Sequence, residues 1–245
     1  MSSSHLDANS FFEVNQVIQK SWDSNVVVRA MELEQGKDYC YTQIIKPWIT
    51  QKVLSHTDER SSIMDIGCGC GYLTNHIYKS GRPQIIGVDF SPLSIQYAKK
   101  KYPGIDFICE DFCNSQFQQT TDLCLAVMVL NNLQDIEGFF NTAHRLLNYD
   151  GELFTILPHP CFWPQNHLSC SDYSYWNETA YSYSFATKGC STYSSDILYF
   201  HRTLETYLTK AANVGFQLTE IHEFYENTAY KAPDILYLAF SLREM

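Results

Sequence analysis

The sequence predicts an α/β fold: one doubly wound sheet of seven strands, mostly parallel, ending in a C-terminal antiparallel hairpin. Three observations predict it. Asp65-Ile66-Gly67-Cys68-Gly69-Cys70-Gly71 ends a short apolar stretch and precedes a helical pattern from Tyr72 to Lys79. From Ser61 onward, short apolar runs alternate with amphipathic helical runs, the signature of parallel βα units. Leu123 to Met128 is continuously apolar, as expected of a central strand buried on both faces.

The elements follow in order. The first residues are polar and frayed. Phe11, Phe12, Val14, Val17 and Ile18 suggest a short amphipathic helix, and Ile44, Ile45, Trp48, Ile49 and Val53 a second, with Pro47 in its first turn. Together they form an N-terminal helical cap over residues 1–57. Ile63–Ile66 is the first strand and Gln84–Asp89 the second. Ser91-Pro92 places an N-cap residue before a proline at the first helical position. That helix runs to Lys101 and stops at Pro103-Gly104. Asp106–Cys109 is the third strand and Leu123–Met128 the fourth. Ile136, Phe139, Phe140, Ala143, Leu146 and Leu147 recur at helical spacing. Asp150-Gly151 reads as a turn, and Leu153–Leu157 as the fifth strand.

Residues 160–200 break the rhythm and read as a lid inserted after the fifth strand. Thr203–Asn213 returns to helix, with Gly215 as its stop. Phe216–Phe224 and Ile235–Phe240 are the last strands, joined through Tyr230–Pro233. The whole is a single Rossmann-like domain over residues 1–245, with no internal repeat.

Composition narrows the function. Hydrophobic residues are 45% and charged residues 18%, so the chain is globular. The net charge of −10, without a basic run, disfavours nucleic acid and anionic membrane as partners. The N-terminus lacks the basic-then-apolar order of a signal peptide. No apolar run approaches the roughly 20 residues that span a bilayer. Nine cysteines, an odd number scattered through strands and turns, read as reduced thiols in a cytoplasmic protein.

A strand that breaks on three alternating glycines and restarts as a helix builds a backbone nest at a helix N-terminus. Asp65, Asp89 and Asp111 each stand at the carboxyl end of a strand, where open parallel sheets bind ligands. Asp122 opens its strand and belongs at the opposite edge. Turn capping is the alternative role for the three aspartates. A dinucleotide site is the weaker alternative for the glycines, because the third one comes a residue early for Gly-x-Gly-x-x-Gly. Cys68 and Cys70 have no second Cys or His pair to complete a metal site, so no metal is expected.

The ordered set Asp65–Gly71, Gly87-Val88-Asp89, Glu110-Asp111-Phe112, Asp122–Leu130 and Leu146–Gly151 resembles the class I S-adenosylmethionine-dependent methyltransferases of the small-molecule type. The resemblance covers about residues 60–157. It implies S-adenosyl-L-methionine as cofactor and S-adenosyl-L-homocysteine as product. It further implies that Gly67 and Gly69 approach the amino-acid part, with Gly71 also among the cofactor-binding residues and Asp65 holding the ammonium directly or through water. Asp89 would accept the ribose hydroxyls. Asp111 would take the adenine amino group, with Phe90 and Phe112 flanking the ring. Ala126, Val127 and Val129 would line the methionine side. Trp22, Arg29 and Tyr39 would cover the carboxylate.

On the acceptor side, a phenol, hydroxyl or acidic carbon needs a base, and His is the usual one. His159, directly after the fifth strand, is the first candidate and His201 the second; His167 and Tyr173 follow. A strand cap or packing residue is the alternative for His159. Trp163, Tyr173, Tyr175 and Trp176 are the expected substrate contacts in an aromatic lid, which suits planar or cationic molecules. Packing of the lid against the sheet is the alternative for them. The expected activity is methylation of nitrogen or oxygen on an apolar or aromatic small molecule. A non-catalytic cofactor-binding module and a protein or peptide methyltransferase are the alternatives. A homodimer is compatible with the N-terminal helices.

Overall fold

The computed structural model describes residues 8–168, 171–185, 193–224 and 232–242. Its central sheet starts from β1 (Ile63–Ile66), whose four residues are all buried. β1 pairs in parallel with β2 (Ile85–Asp89) on one side and β4 (Thr121–Val127) on the other. β3 (Asp106–Cys109) extends the sheet beyond β2, and β5 (Leu147–Pro158) extends it beyond β4. β9 (Ile235–Leu242) lies antiparallel to β5, and β8 (Phe216–Phe224) antiparallel to β9. The order is β3-β2-β1-β4-β5-β9-β8 over seven strands. The winding reverses between β1 and β4, so the crevice of the sheet opens above the carboxyl end of β1.

Helices cover both faces. Cys124, Ala126 and Leu153 pack on Phe139, Phe140 and Ala143 of α5 (Ile136–Leu146). Leu123, Leu125 and Phe154 pack on the opposite face against α2 (Lys46–His56) and α3 (Tyr72–Lys79). The alternation along β4 is why that strand reads as unbroken apolar sequence. The N-cap serine expected before α4 (Pro92–Lys101) is present: Ser91 Oγ accepts from Ser94 N at 3.0 Å. Asp122 ties the far edge, accepting from Ser62 N at 2.8 Å and Asn148 Nδ2 at 2.5 Å.

Three elements differ from the sequence expectation. The first helix, α1 (Ala8–Glu34), has 27 residues and is no short segment. Its inner face carries Asn25 and Glu32, both buried, which interrupt the apolar period that marks a helix in sequence. β5 begins at Leu147, six residues before the expected start. Thr121 faces Leu147 while Leu123 faces Glu152, so residues 148–151 bulge from the ladder. Asp150-Gly151 therefore sits in a bulge within a longer strand. The lid is also more ordered than expected. It holds α6 (Trp163–His167) and a hairpin of β6 (Ala180–Tyr183) and β7 (Ile197–Phe200). Tyr181-Ser182-Tyr183 is strand, whereas Tyr173-Ser174-Tyr175 is not. α7 (Leu204–Asn213) follows. Of the expected link between the last strands, Tyr230 and Lys231 lie outside the described residues.

Candidate functional site

β1 ends at Ile66, and the chain then turns on Gly67, Gly69 and Gly71 with φ of 67°, 53° and 75°. All three occupy the left-handed region that favours glycine. Each glycine answers a different demand. A Cβ on Gly67 would lie 2.4 Å from Val129 Cγ2, and one on Gly71 would lie 2.7 Å from Phe107 Cζ. Around Gly69 a Cβ would meet nothing within 4 Å, so this glycine borders open space. Gly67 N and Cys68 N donate to Val88 O at 2.7 and 3.1 Å, which locks the turn onto β2.

The three aspartates stand around this turn. Asp65 is buried and accepts from Thr74 Oγ1 at 2.6 Å. Burial pushes its carboxyl up to about 7; the Thr74 bond opposes the rise and the charge of Asp89 adds to it. Asp89 accepts from Gly69 N and Ser91 N, each at 2.8 Å. Burial pushes it up to about 6 against those two bonds. Asp111 accepts from Cys113 N at 3.1 Å and Asn114 Nδ2 at 2.8 Å, capping the short 3₁₀ turn Phe112–Asn114.

A cavity of about 490 Å³ opens above these residues. Gly67, Gly69, Asp89, Phe90, Asp111, Phe112 and Val127 line it, with Trp22 and Arg29 from α1. Arg29 donates to Glu32 at 2.8 Å and Asp38 at 2.7 Å. Its guanidinium stands 5.2 Å from the Tyr41 ring. Trp163 and His167 of α6 line the lid side, their rings stacked at 4.9 Å, together with Tyr183 and Phe185.

Several expected site residues lie elsewhere. Asp65 and Gly71 sit behind the cavity wall. Ala126 faces the α5 core, because it falls on the opposite side of β4 from Leu125 and Val127. Tyr39 is 63% exposed, and Tyr41, two residues on, takes a place in the wall. His159 is buried outside the cavity. Its Nε2 meets Glu223 Oε1 at 2.9 Å, and its Nδ1 accepts from Cys161 N at 3.2 Å. Burial lowers its pKa, and the Glu223 bond works against that. His201 is buried too, with Nε2 at 2.9 Å from Tyr175 O. Tyr173 and Tyr175 pack edge-on against His201 away from the cavity, and Trp176 is 78% exposed. In this insertion, nearness in sequence to the strand end does not translate into facing the crevice.

Sequence reasoning also missed residues. Asn131, Asn132 and Gln134 line the cavity just beyond β4. Their only signal was position, four to seven residues after Val127, in a segment whose backbone path is set by one unusual residue. Met128 has φ of 61°, and Asn132 Nδ2 donates to its carbonyl at 2.9 Å.

Residues 64–155 match the family model described as a methyltransferase domain. The chain is 28% identical, over 124 residues, to a malonyl-[acyl-carrier protein] O-methyltransferase of Acetivibrio thermocellus, covering 49% of this chain and 41% of that one. The chain spans about half or less of the length of the curated relatives it matches. The fold is that of an S-adenosylmethionine-dependent methyltransferase from Mesorhizobium loti, at TM-score 0.60 and 20% identity over 80% of this chain and 97% of that one. A methyltransferase from Bacteroides fragilis in complex with S-adenosyl-L-homocysteine aligns at TM-score 0.55 and 18% identity, over 80% of this chain and 77% of that one. A seven-stranded sheet with its switch point at β1 and a glycine nest under a ligand-sized cavity thus accompany a match of residues 64–155 to the methyltransferase domain, and the fold is similar to that of class I S-adenosylmethionine-dependent methyltransferases.

Proposed function

We propose that this chain transfers the methyl group of S-adenosylmethionine to a nitrogen or oxygen of an apolar or aromatic small molecule. The observation that carries the proposal is a single cavity running from the glycine nest to the aromatic underside of the lid. The residues present fit the cofactor. Open space at Gly69 leaves bare backbone for a ligand to press against, and Asp89 beside it is a half-buried carboxylate able to accept two hydroxyls. Asp111, which lines the wall along with Phe90 and Phe112, would accept from the exocyclic amine of the adenine. Asp65 acts from behind the nest through its field, and Val127 and Val129 supply the apolar wall. When bound, the cofactor supplies an electrophilic methyl group on a sulfonium.

The chain's own work is then positioning. α1 and the lid close over the sheet and keep water from the reacting atoms, and the aromatic rings orient the acceptor behind the methyl group. A cavity of this size suits a small molecule better than a peptide segment. Isothermal titration with S-adenosyl-L-homocysteine tests the cofactor: an absence of binding below millimolar sinks it. Incubation with methyl-labelled cofactor and a metabolite extract tests the transfer, and tight cofactor binding without any labelled small molecule favours a non-catalytic module.

A further inference from the structure

We infer that the methyl acceptor is an amine, received by amide oxygens just beyond β4; the inference rests on the function proposed above. Asn132 carries it. Its Nδ2 donates to Met128 O at 2.9 Å, and this bond fixes which way the amide faces. Its Oδ1 is then the end left over, buried and without a partner among the described residues. Asn131, 3% exposed, and Gln134 also have buried side-chain oxygens without partners there. All three residues line the cavity. Buried acceptors without donors cost about 1–3 kcal/mol each, so such a group in a cavity wall calls for a ligand that donates.

Position and charge agree. Val129 touches the nest at Gly67, and the turn at Met128 sends residues 130–134 along the cavity from that contact. The wall thus runs from Gly67 toward the turn after Asp111, where Cys113 Sγ donates to Asp135 O at 3.3 Å, and Asn132, bonded to Met128, belongs to its Gly67 end. Asp89, Glu110, Asp111 and Asp135 line the cavity as well. Arg29 is the sole lysine or arginine among the lining residues, and Glu32 and Asp38 already engage it. A carboxylate, phosphate or phenolate acceptor would meet no unengaged lysine or arginine in the described wall. A hydroxyl brings one hydrogen to a wall with three acceptors. An amine brings two or three, and as an ammonium it also gains from the Trp163, Tyr183 and Phe185 rings.

An ammonium must first lose a proton to water. The neutral nitrogen's lone pair then forms the N–C bond to the methyl group while the C–S bond breaks, its electron pair staying on sulfur. The methylated nitrogen sheds a second proton to water.

The test is isothermal titration of the full chain loaded with S-adenosyl-L-homocysteine. The probes are a panel of aliphatic and aromatic primary amines, each with its matched carboxylate and alcohol. We expect at least one amine to bind tenfold or more tighter than both of its matched partners. Asn132→Leu should lose that binding tenfold or more, while Asn132→Asp, which breaks the same bond to Met128, should keep it. Gln134→Leu is a second, milder variant and should weaken it several-fold. A wild type that does not bind S-adenosyl-L-homocysteine sinks the cofactor reading itself. With that binding intact, a panel in which no amine exceeds its partners, or an unchanged Asn132→Leu, overturns this inference.

Discussion

Gly67 and Gly69 differ by two positions and make opposite predictions. Both have positive φ, so alanine costs roughly 1–2 kcal/mol at either from the backbone alone. At Gly67 the new Cβ also collides with Val129. Gly67→Ala should therefore destabilise by about 2–4 kcal/mol in chemical denaturation, and adding Val129→Ala should restore part of the loss. Gly69→Ala has no protein neighbour to meet, so it should fold with only the backbone cost yet lose S-adenosyl-L-homocysteine affinity tenfold or more. Equal affinity in Gly69→Ala and wild type would remove Gly69 from the ligand contact. His159 separates packing from chemistry in the same way. Buried between Glu223 and the backbone of Cys161, it links the start of the lid to β8. His159→Ala should cost about 1–3 kcal/mol in stability and leave ligand affinity within twofold. A tenfold loss of affinity at unchanged stability would return it to the site.

α1 and the lid hold each other at the scale of elements. Asn25, fully buried, donates to Ser21 O at 3.0 Å and Ser195 Oγ at 3.1 Å, and accepts from Ser194 N at 2.8 Å. Ser21 Oγ donates to Asp196 O at 2.5 Å, and Tyr193 OH donates to Glu32. One helix face thus binds the chain segment that leads into β7. Asn25→Leu should leave several of these groups unsatisfied and speed hydrogen exchange over residues 193–200 by tenfold or more, while β1 and β4 keep their protection. Uniform exchange across the chain would disprove a local clasp. The same contacts explain what the sequence could not reveal. The centre of the sheet was legible because β2, β4 and the second half of β5 are short, mostly apolar runs. Asp65, Asp89 and Asp111 were legible because strand ends in such a sheet converge on one crevice. The clasp is made of Ser, Asn and Glu, whose burial depends on partners some 170 positions away. The direction each lid aromatic faces is likewise set by tertiary packing, so Trp163 and Trp176 read alike in sequence and lie on opposite sides of exposure.

Charge acts at the scale of the whole molecule. Asp65 and Asp89 hold protons up to about 7 and about 6, whereas an unfolded aspartate releases its proton near 3.8. Between those limits the folded chain binds more protons than the unfolded one, so stability falls as pH rises. The contribution is fully present below about pH 4 and lost as pH rises through about 7. Each unit of separation corresponds to about 1.4 kcal/mol, which puts the combined effect at a few kcal/mol because the two groups interact and do not simply add. Self-repulsion in a chain of net charge −10 acts in the same direction. A ligand that brings an ammonium and hydroxyl donors to these aspartates needs them ionised, so its affinity has the opposite slope. The ligand-free chain should therefore unfold at lower denaturant at pH 8 than at pH 5. The rise in melting temperature on adding S-adenosyl-L-homocysteine should be larger at pH 8 than at pH 5. Asp65→Asn removes the higher of the two titrations while keeping a partner for Thr74. Its unfolding free energy should depend less on pH than that of the wild type, by about 1–3 kcal/mol across that range. Parallel pH profiles for the two proteins, or a ligand-induced shift that grows toward pH 5, would show that neither carboxylate couples folding to binding.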